Sequence, residues 1–305
     1  MKVLITGGLG FVGANLLNCL LEKGMDVFVI DPFSKPHFLV STKIKYSNAS
    51  IHETEKISEI LRNGNFDCLI HLVAAVPPVE SSKFISKEIN DYILNSIKLF
   101  ELSIANGVKR IIFSSSAGAL YTSAGLPATE KDNVNPKTFY GLNKLYIEQS
   151  LRLLNHIHGV QYCNLRISNV YGPGQVFKNN QGVIANFCSQ VSKKEPLQVW
   201  GDGTNLKDYI YVDDLSQLIY KTILSDESGT FNAGAGISNS LNEIIEIISS
   251  AFSVEPIINY IDSNVDDNLN FNIDNRLAKE TFKWSPQVQL ENGIFNYIKW
   301  MRENG

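Results

Sequence analysis

Apolar positions along the first two thirds of the chain fall into two alternating rhythms. Met1-Lys2-Val3-Leu4-Ile5-Thr6 is a short, nearly continuous apolar run, the pattern of a strand buried on both faces. Glycines 7 to 13 interrupt it, residues 14–23 carry leucines at helical spacing, and residues 26–31 return to a β-branched run. Together they predict one βαβ unit. The alternation continues to about residue 170, with strands expected at 43–46, 67–72, 109–114 and 161–166. Helices are expected at 55–62, 87–106 and within 137–158, the last two closed by Gly107 and Gly159. Strand and helix in strict alternation imply an α/β fold, a doubly wound parallel sheet covered on both faces. After Tyr171-Gly172-Pro173-Gly174 the texture changes to short strands rich in Asn, Gln, Gly and Ser. We expect residues 1–171 to form the first domain and 172–305 a smaller, interleaved substrate-binding domain. Residues 207–234, with Tyr209-Ile210-Tyr211-Val212, a helix from Asp213, and Thr230-Phe231-Asn232, are expected to return to the first domain.

The glycines carry the first chemistry. Gly8, Gly10 and Gly13 satisfy G-x-G-x-x-G, and Gly7, Gly10 and Gly13 the wider G-x-x-G-x-x-G. Either register gives a tight turn without Cβ atoms, room for a pyrophosphate against the backbone, and close helix-to-strand packing. The exposed N–H groups and dipole at the start of the helix that follows favour the anion, and Phe11 and Val12 of the turn are expected beside the cofactor. Asp31 ends the second strand 18 residues after Gly13, where a carboxylate accepts hydrogen bonds from ribose hydroxyls. A 2′-phosphate would be repelled there and Asp31-Pro32-Phe33-Ser34 offers no arginine, so the sequence favours NAD over NADP in a Rossmann-type domain.

Composition narrows the partners. Apolar residues make up 44% and charged residues 19%, with 27 basic against 31 acidic side chains, net −4. No basic field invites nucleic acid. No apolar run reaches the roughly 18–20 residues a bilayer span needs, and the start lacks a signal-peptide pattern, so a cytoplasmic protein is expected. Cys19, Cys68, Cys163 and Cys188 are widely separated and read as reduced core residues. His156 and His158 have no acid or cysteine at ligand spacing, and no metal site is expected.

Tyr140 and Lys144 stand at i and i+4, on one face of a predicted helix. A phenol is a poor base at neutral pH, but an adjacent ammonium and a cationic nicotinamide ring favour the phenolate. Phe113-Ser114-Ser115-Ser116 ends the preceding strand, at the edge where such sheets bind ligands, and Ser116 lies 24 residues before Tyr140. Its hydroxyl can share a hydrogen bond with a reacting oxygen; Ser115 is the alternate.

With these motifs in place, the chain resembles the extended short-chain dehydrogenase/reductase family, particularly the NAD-dependent epimerase/dehydratase group acting on nucleotide sugars. The likeness runs nearly end to end: Thr6 to Gly13, Asp31, Ile70-His71-Leu72, Phe113 to Ser116, Tyr140 to Lys144, Leu165 to Gly174, Gly201-Asp202-Gly203, Asp208 to Asp214, and Trp284-Ser285-Pro286. The resemblance implies a tightly held NAD, with Tyr140 deprotonating the sugar C4 hydroxyl while hydride leaves C4. The 4-keto sugar then turns over and takes the hydride back on its other face. Lys144 would bind the nicotinamide ribose, Ser116 would polarise the oxygen, and Asn169 would contact the nucleotide diphosphate sugar. By the same resemblance Ser34, Ser50, Ile51, Leu72, Ala74 and Ser114 border the cofactor, and Val183 and Lys207 the substrate. A homodimer built on the two long helices, and a place in polysaccharide precursor synthesis, are further family expectations.

The chain departs from the group's pattern at several points. Ala117-Gly118 follow Ser116 where 4,6-dehydratases carry an acidic pair, so dehydration is disfavoured. Lys207 replaces a diphosphate-clamping arginine, Ser50 an acid near the adenine, and Tyr92 an asparagine; a later arginine is absent from residues 266–272. The leading expectation is a C4 epimerase. The alternatives are an NAD(P)H-dependent 4-keto-6-deoxy sugar nucleotide reductase and a non-enzymatic NAD-binding scaffold. His71 is read as structural, Arg166 as an ion-pair partner, Asp213-Asp214 as a helix cap, and Phe282, Trp284, Phe295, Tyr297 and Trp300 as core.

Overall fold

The computed structural model describes residues 1–33, 44–74, 85–121, 126–176, 182–262 and 270–304. Its first unit follows the apolar pattern: β1 (Lys2–Thr6) is buried from Val3 onward, and α1 (Phe11–Glu22) turns Ala14, Leu16, Leu17 and Leu20 inward. Next, β2 (Asp26–Asp31) pairs parallel with β1 from Lys2↔Asp26 to Thr6↔Ile30. The third strand, β3 (Lys45–Asn48), comes two residues later than its pattern suggested, because its pairing with β2 runs from Phe28↔Lys45 to Asp31↔Asn48. It is followed by α2 (Thr54–Gly64) and the fully buried β4 (Cys68–His71).

The single helix expected over 87–106 is divided. A short α3 (Ile85–Glu88) runs into a π-helical segment, Ile89–Leu94, and then α4 (Asn95–Ala105). Where the bonding pattern widens, the Asn95 side-chain amide donates to the carbonyls of Asn90 (2.9 Å) and Asp91 (3.1 Å). Such π-helical turns are uncommon and cluster at functional sites. After β5 (Arg110–Ser116) and α5 (Ala117–Leu120), the long α6 (Phe139–His158) starts at Thr138, whose hydroxyl accepts from the Gly141 N–H. Gly159, at φ +71°, closes it before β6 (Gln161–Ile167).

The remaining elements are β7 (Asn169–Tyr171), α7 (Val183–Lys193), β8 (Leu197–Trp200), β9 (Leu206–Tyr211), α8 (Val212–Ile223), β10 (Gly229–Ala233), β11 (Ser238–Ser240), α9 (Leu241–Phe252), β12 (Ile258–Ile261), α10 (Arg276–Phe282) and α11 (Leu290–Asn304). Seven parallel strands form the central sheet in the order β10-β6-β5-β4-β1-β2-β3. Strand order reverses between β1 and β4, which opens a crevice at their carboxyl ends. α8 packs Leu215, Leu218 and Ile219 into the same core as Leu16, Leu17 and Leu20 of α1. β9 instead pairs with β7 and β11, while α7, α9 and α11 enclose a separate core around Phe187, Ile244, Ile248 and Ile294.

Two sequence expectations in this half are corrected. Phe295 is 40% exposed, because Ile294, Tyr297 and Ile298 define the inward face of α11 and leave position 295 off it. Phe282, Trp284 and Tyr297 are buried, with Trp300 against Tyr297. Nor does Asp214 cap α8: its two carboxylate oxygens accept the N–H groups of Gln287 and Val288, each at 2.9 Å, and its carbonyl accepts the Trp284 indole N–H. The acid fastens the C-terminal segment to α8. All four cysteines are buried and none is in a disulfide.

Candidate active site at the carboxyl edge of the sheet

The turn after β1 is built around its glycines. Gly7 adopts φ +77°, and a Cβ at Gly13 would come within 2.5 Å of the Gly7 oxygen. Gly10 differs: a Cβ there would meet only the Gly7 oxygen, at 3.6 Å. It is the N-cap of α1, with extended backbone and no side chain bonding the helix start. The N–H groups of Phe11, Val12 and Gly13 therefore begin a helix that no side chain caps. Asp31 is 2% exposed; its Oδ2 accepts from Leu9 N–H and its Oδ1 from Phe33 N–H, each at 2.9 Å. A carboxylate has about four acceptor positions, so oriented capacity remains for ribose hydroxyls. An open glycine, an uncapped helix start and a fixed acid fit a dinucleotide.

Flanking residues gather at the same edge. Leu72 N–H donates to the Thr6 carbonyl, and the Val73 amide lies 3.1 Å from where a Gly7 Cβ would stand, so the chain from Leu72 to the exposed Ala74 borders the turn. Ser50 and Ile51 follow β3 beside Asp31. Ser50 N–H donates to Glu53, and the Ile51 side chain is buried in the core, leaving only its backbone for a ligand. Ser34 lies outside the described residues.

Two strands across, β5 and α6 assemble the expected chemistry. Ser116 hydrogen-bonds Tyr140. Neighbouring strand residues face opposite ways, and Ser115 accordingly points away, its hydroxyl 2.5 Å from Glu148. This removes Ser115 as the alternate. Lys144, 2% exposed, donates to the Ser114 carbonyl at 2.8 Å and to the Tyr92 hydroxyl at 3.0 Å. Its nitrogen lies 4.8, 5.4 and 5.7 Å from the ring centres of Phe113, Tyr92 and Tyr140. Burial pulls Lys144 down to about 7, partly offset by the Glu148 charge. Burial raises the Tyr140 phenol above its ordinary value, and the Ser116 hydrogen bond acts the other way. Burial outweighs the hydrogen bond, so a phenolate at this position would need positive charge close by.

Beneath this layer lies a support that the sequence reading only partly identified. Arg166 forms a buried pair with Glu148 (2.8 Å) and donates to Tyr121 (2.7 Å). Glu148 and Asn143 escaped notice. Glu148 stands one helical turn after Lys144, and a buried arginine on the adjacent strand was the signal for it. Asn143 donates to Glu88 at 2.6 Å. His71 is structural as expected: its ring contacts the Thr6 hydroxyl (2.7 Å) and the Ser96 hydroxyl (3.0 Å), and burial, then the Lys144 charge, lowers it to about 3.

The substrate candidates lie on the second half. Asn169 on β7 is exposed and donates to the Asp208 carbonyl at 2.8 Å. Lys207 is on the neighbouring β9, two residues from Tyr209, the register partner of Asn169. Val183 opens α7 after Gly182 at φ +76°. Among the described residues no group of three His, Cys, Asp or Glu side chains could hold a metal ion, and no helix is long and apolar enough to cross a membrane.

A doubly wound sheet with this turn, and a Ser-Tyr-Lys group at its carboxyl edge, defines a dinucleotide-dependent enzyme of the short-chain dehydrogenase/reductase type. The chain belongs to the NAD dependent epimerase/dehydratase family, whose model matches residues 3–234, and NAD is its cofactor. It is 32% identical to the dTDP-4-dehydro-6-deoxyglucose reductase of Escherichia coli, over 98% of this chain and 97% of that one. Identity to a putative UDP-glucose 4-epimerase of Methanocaldococcus jannaschii is 29%, covering 99% of both. The crystal structure of Thermotoga maritima UDP-glucose 4-epimerase with UDP-glucose matches at a TM-score of 0.92 and 29% identity, again over 99% of both chains.

Proposed function

We propose that the protein is an NAD-dependent nucleotide-sugar epimerase that inverts C4 through a transient 4-keto sugar. The observation that carries this reading is the hydrogen-bonded Ser116–Tyr140 pair above the buried Lys144, at the edge that also holds the glycine turn. When bound, NAD supplies a hydride acceptor and a positive charge beside the phenol. Tyr140 takes the C4 hydroxyl proton and later returns it, Ser116 holds the reacting oxygen, and Lys144 keeps its ammonium under the Tyr140 ring. Ala117 and Gly118 have no side-chain group that can donate or accept a proton, so the two positions after Ser116 supply no acid–base pair for eliminating water from C5–C6. Asn169, Lys207 and Val183 are the residues we assign to the sugar nucleotide, held by the second half of the chain.

The test is direct. Purified protein incubated with UDP-glucose, UDP-N-acetylglucosamine and their dTDP, GDP and CDP counterparts should yield the C4 epimer of at least one, and Tyr140→Phe should lose about 10² or more in rate. No epimer from any of them would contradict the reading. The reductase reading is favoured by one observation, the 32% identity to the Escherichia coli enzyme; it requires stoichiometric consumption of NADH or NADPH with a 4-keto-6-deoxy sugar nucleotide. We further propose a homodimer, because Leu142, Tyr146, Leu153 and Ile157 form one exposed apolar face of α6. Sedimentation should give twice the chain mass. Supply of activated sugars for polysaccharide assembly in the cytoplasm is the role we assign.

A further inference from the structure

Lys144 has three N–H donors. One is committed to the Ser114 carbonyl, and the second to the hydroxyl of Tyr92, a residue the reaction itself does not require. Tyr92 is presented by the π-helical segment Ile89–Leu94, is 3% exposed, and stacks on His71 with ring centres 6.1 Å apart. The end of α3 and the segment each grip α6 once. Glu88 accepts from Asn143, and four residues later Tyr92 accepts from Lys144. A regular helix places successive residues 100° apart; the wider π turn changes the direction in which position 92 leaves the segment relative to position 88.

We propose that Tyr92 is a positioning residue for Lys144: its hydroxyl oxygen holds the ammonium in its charged form and aims the third N–H toward Tyr140 and the cofactor ribose. Two independent features of the geometry support it. Lys144 is enclosed by the rings of Phe113, Tyr92 and Tyr140, an environment that attracts a cation. Among the contacts of the ammonium described above, only the two oxygens stand in for the water that burial removes. This rests on the reading of Tyr140 and Lys144 as the reacting pair, and the test below does not depend on turnover.

The experiment follows the Lys144 ε-carbon by NMR through a pH titration of the NAD-loaded protein carrying 13C-labelled lysine. The signal is identified by its loss in Lys144→Met. Tyr92→Phe keeps the ring and its stacking on His71 but removes the oxygen. The expected result is a Lys144 midpoint lower by about one pH unit, roughly tenfold in proton affinity, the scale of one hydrogen bond to a charged group. NAD affinity at pH 8 should weaken in parallel. If Tyr92 merely fills space, Tyr92→Phe changes the melting temperature and leaves the midpoint alone, and that overturns the proposal. Should Tyr92→Phe fail to fold, Tyr92→4-fluorophenylalanine keeps the volume with a poor acceptor, and the same shift or its absence decides. An unshifted midpoint with epimerisation intact refutes the role of Tyr92 alone; a shifted midpoint without epimerisation refutes only the reaction.

Discussion

Replacing Glu148 with Gln tests whether the layer beneath the active site is a charged support or passive filling. The Glu148 carboxylate accepts from three donor groups on two residues: Nε and Nη2 of Arg166, and the Ser115 hydroxyl. The side chains of Arg166 and Glu148 are only 6% and 1% exposed, so water cannot take over the contact. Removing one partner of such a pair strands the other charge, at about 3–5 kcal/mol. Gln retains one acceptor, which places the expected loss near the low end, about 3 kcal/mol. For a chain of this size roughly 2 °C accompanies each kcal/mol, so melting should fall by about 6 °C in a thermal scan of the NAD-free protein. Glu148→Gln combined with Arg166→Leu should recover much of that loss, because no buried charge is then left alone. The change should also reach the chemistry. The Glu148 charge holds the Lys144 ammonium up, so the variant should carry less positive charge at position 144 at neutral pH. An unchanged melting temperature in the single variant, or a double variant worse than the single, would refute the reasoning.

Other expectations follow from the same geometry. In Gly13→Ala the new Cβ would sit 2.5 Å from the Gly7 oxygen and 2.6 Å from Gly8 backbone atoms; the turn must shift at a cost of about 1–3 kcal/mol, so calorimetry should show NAD binding weakened roughly 10- to 100-fold. Asp214→Ala leaves the Gln287 and Val288 N–H groups without acceptors, at about 2 kcal/mol. Amide exchange should accelerate at those two positions and through α11 while β1 stays protected. Lys144 titrates at about 7 when folded and at its ordinary 10.5 when unfolded. Between these values the unfolded chain holds a proton that the folded one has released, so stability relative to Lys144→Met must rise with pH across that window. Urea unfolding at a series of pH values checks the sign, and a flat difference would contradict the assignment.

Much of the architecture was legible because local and tertiary demands agreed. Buried parallel strands read as short apolar runs, and Gly107 and Gly159 marked helix ends where only a left-handed residue fits without strain. The glycine turn and Asp31 were visible for the same reason: each requires a particular residue type at a fixed spacing. The π-helical segment was not legible. Its apolar positions satisfy an ordinary helix as well, and the widening accompanies the contacts of Glu88 and Tyr92 with α6, tens of residues away in sequence. Ser115 and Ser116 could have been told apart, since alternation along β5 sends them to opposite faces. Asp214 was misassigned because an acid at a helix start resembles a cap; its real partners, at positions 287 and 288, are brought there only by the folded C-terminal segment. Arg166 was read correctly as half of an ion pair, yet its partner Glu148 was invisible until α6 was laid across β6.

The central claim is that hydride leaves C4 of a sugar and returns to the same carbon, with Tyr140 moving the proton. The NAD-loaded protein should therefore be given a nucleotide sugar deuterated at C4, beginning with UDP-glucose, and the product read by mass and NMR. The account predicts a C4 epimer that keeps its deuterium, with no net oxidation or reduction of the cofactor. Loss of that deuterium to solvent, or a product formed only as NADH or NADPH is consumed mole for mole, would contradict it.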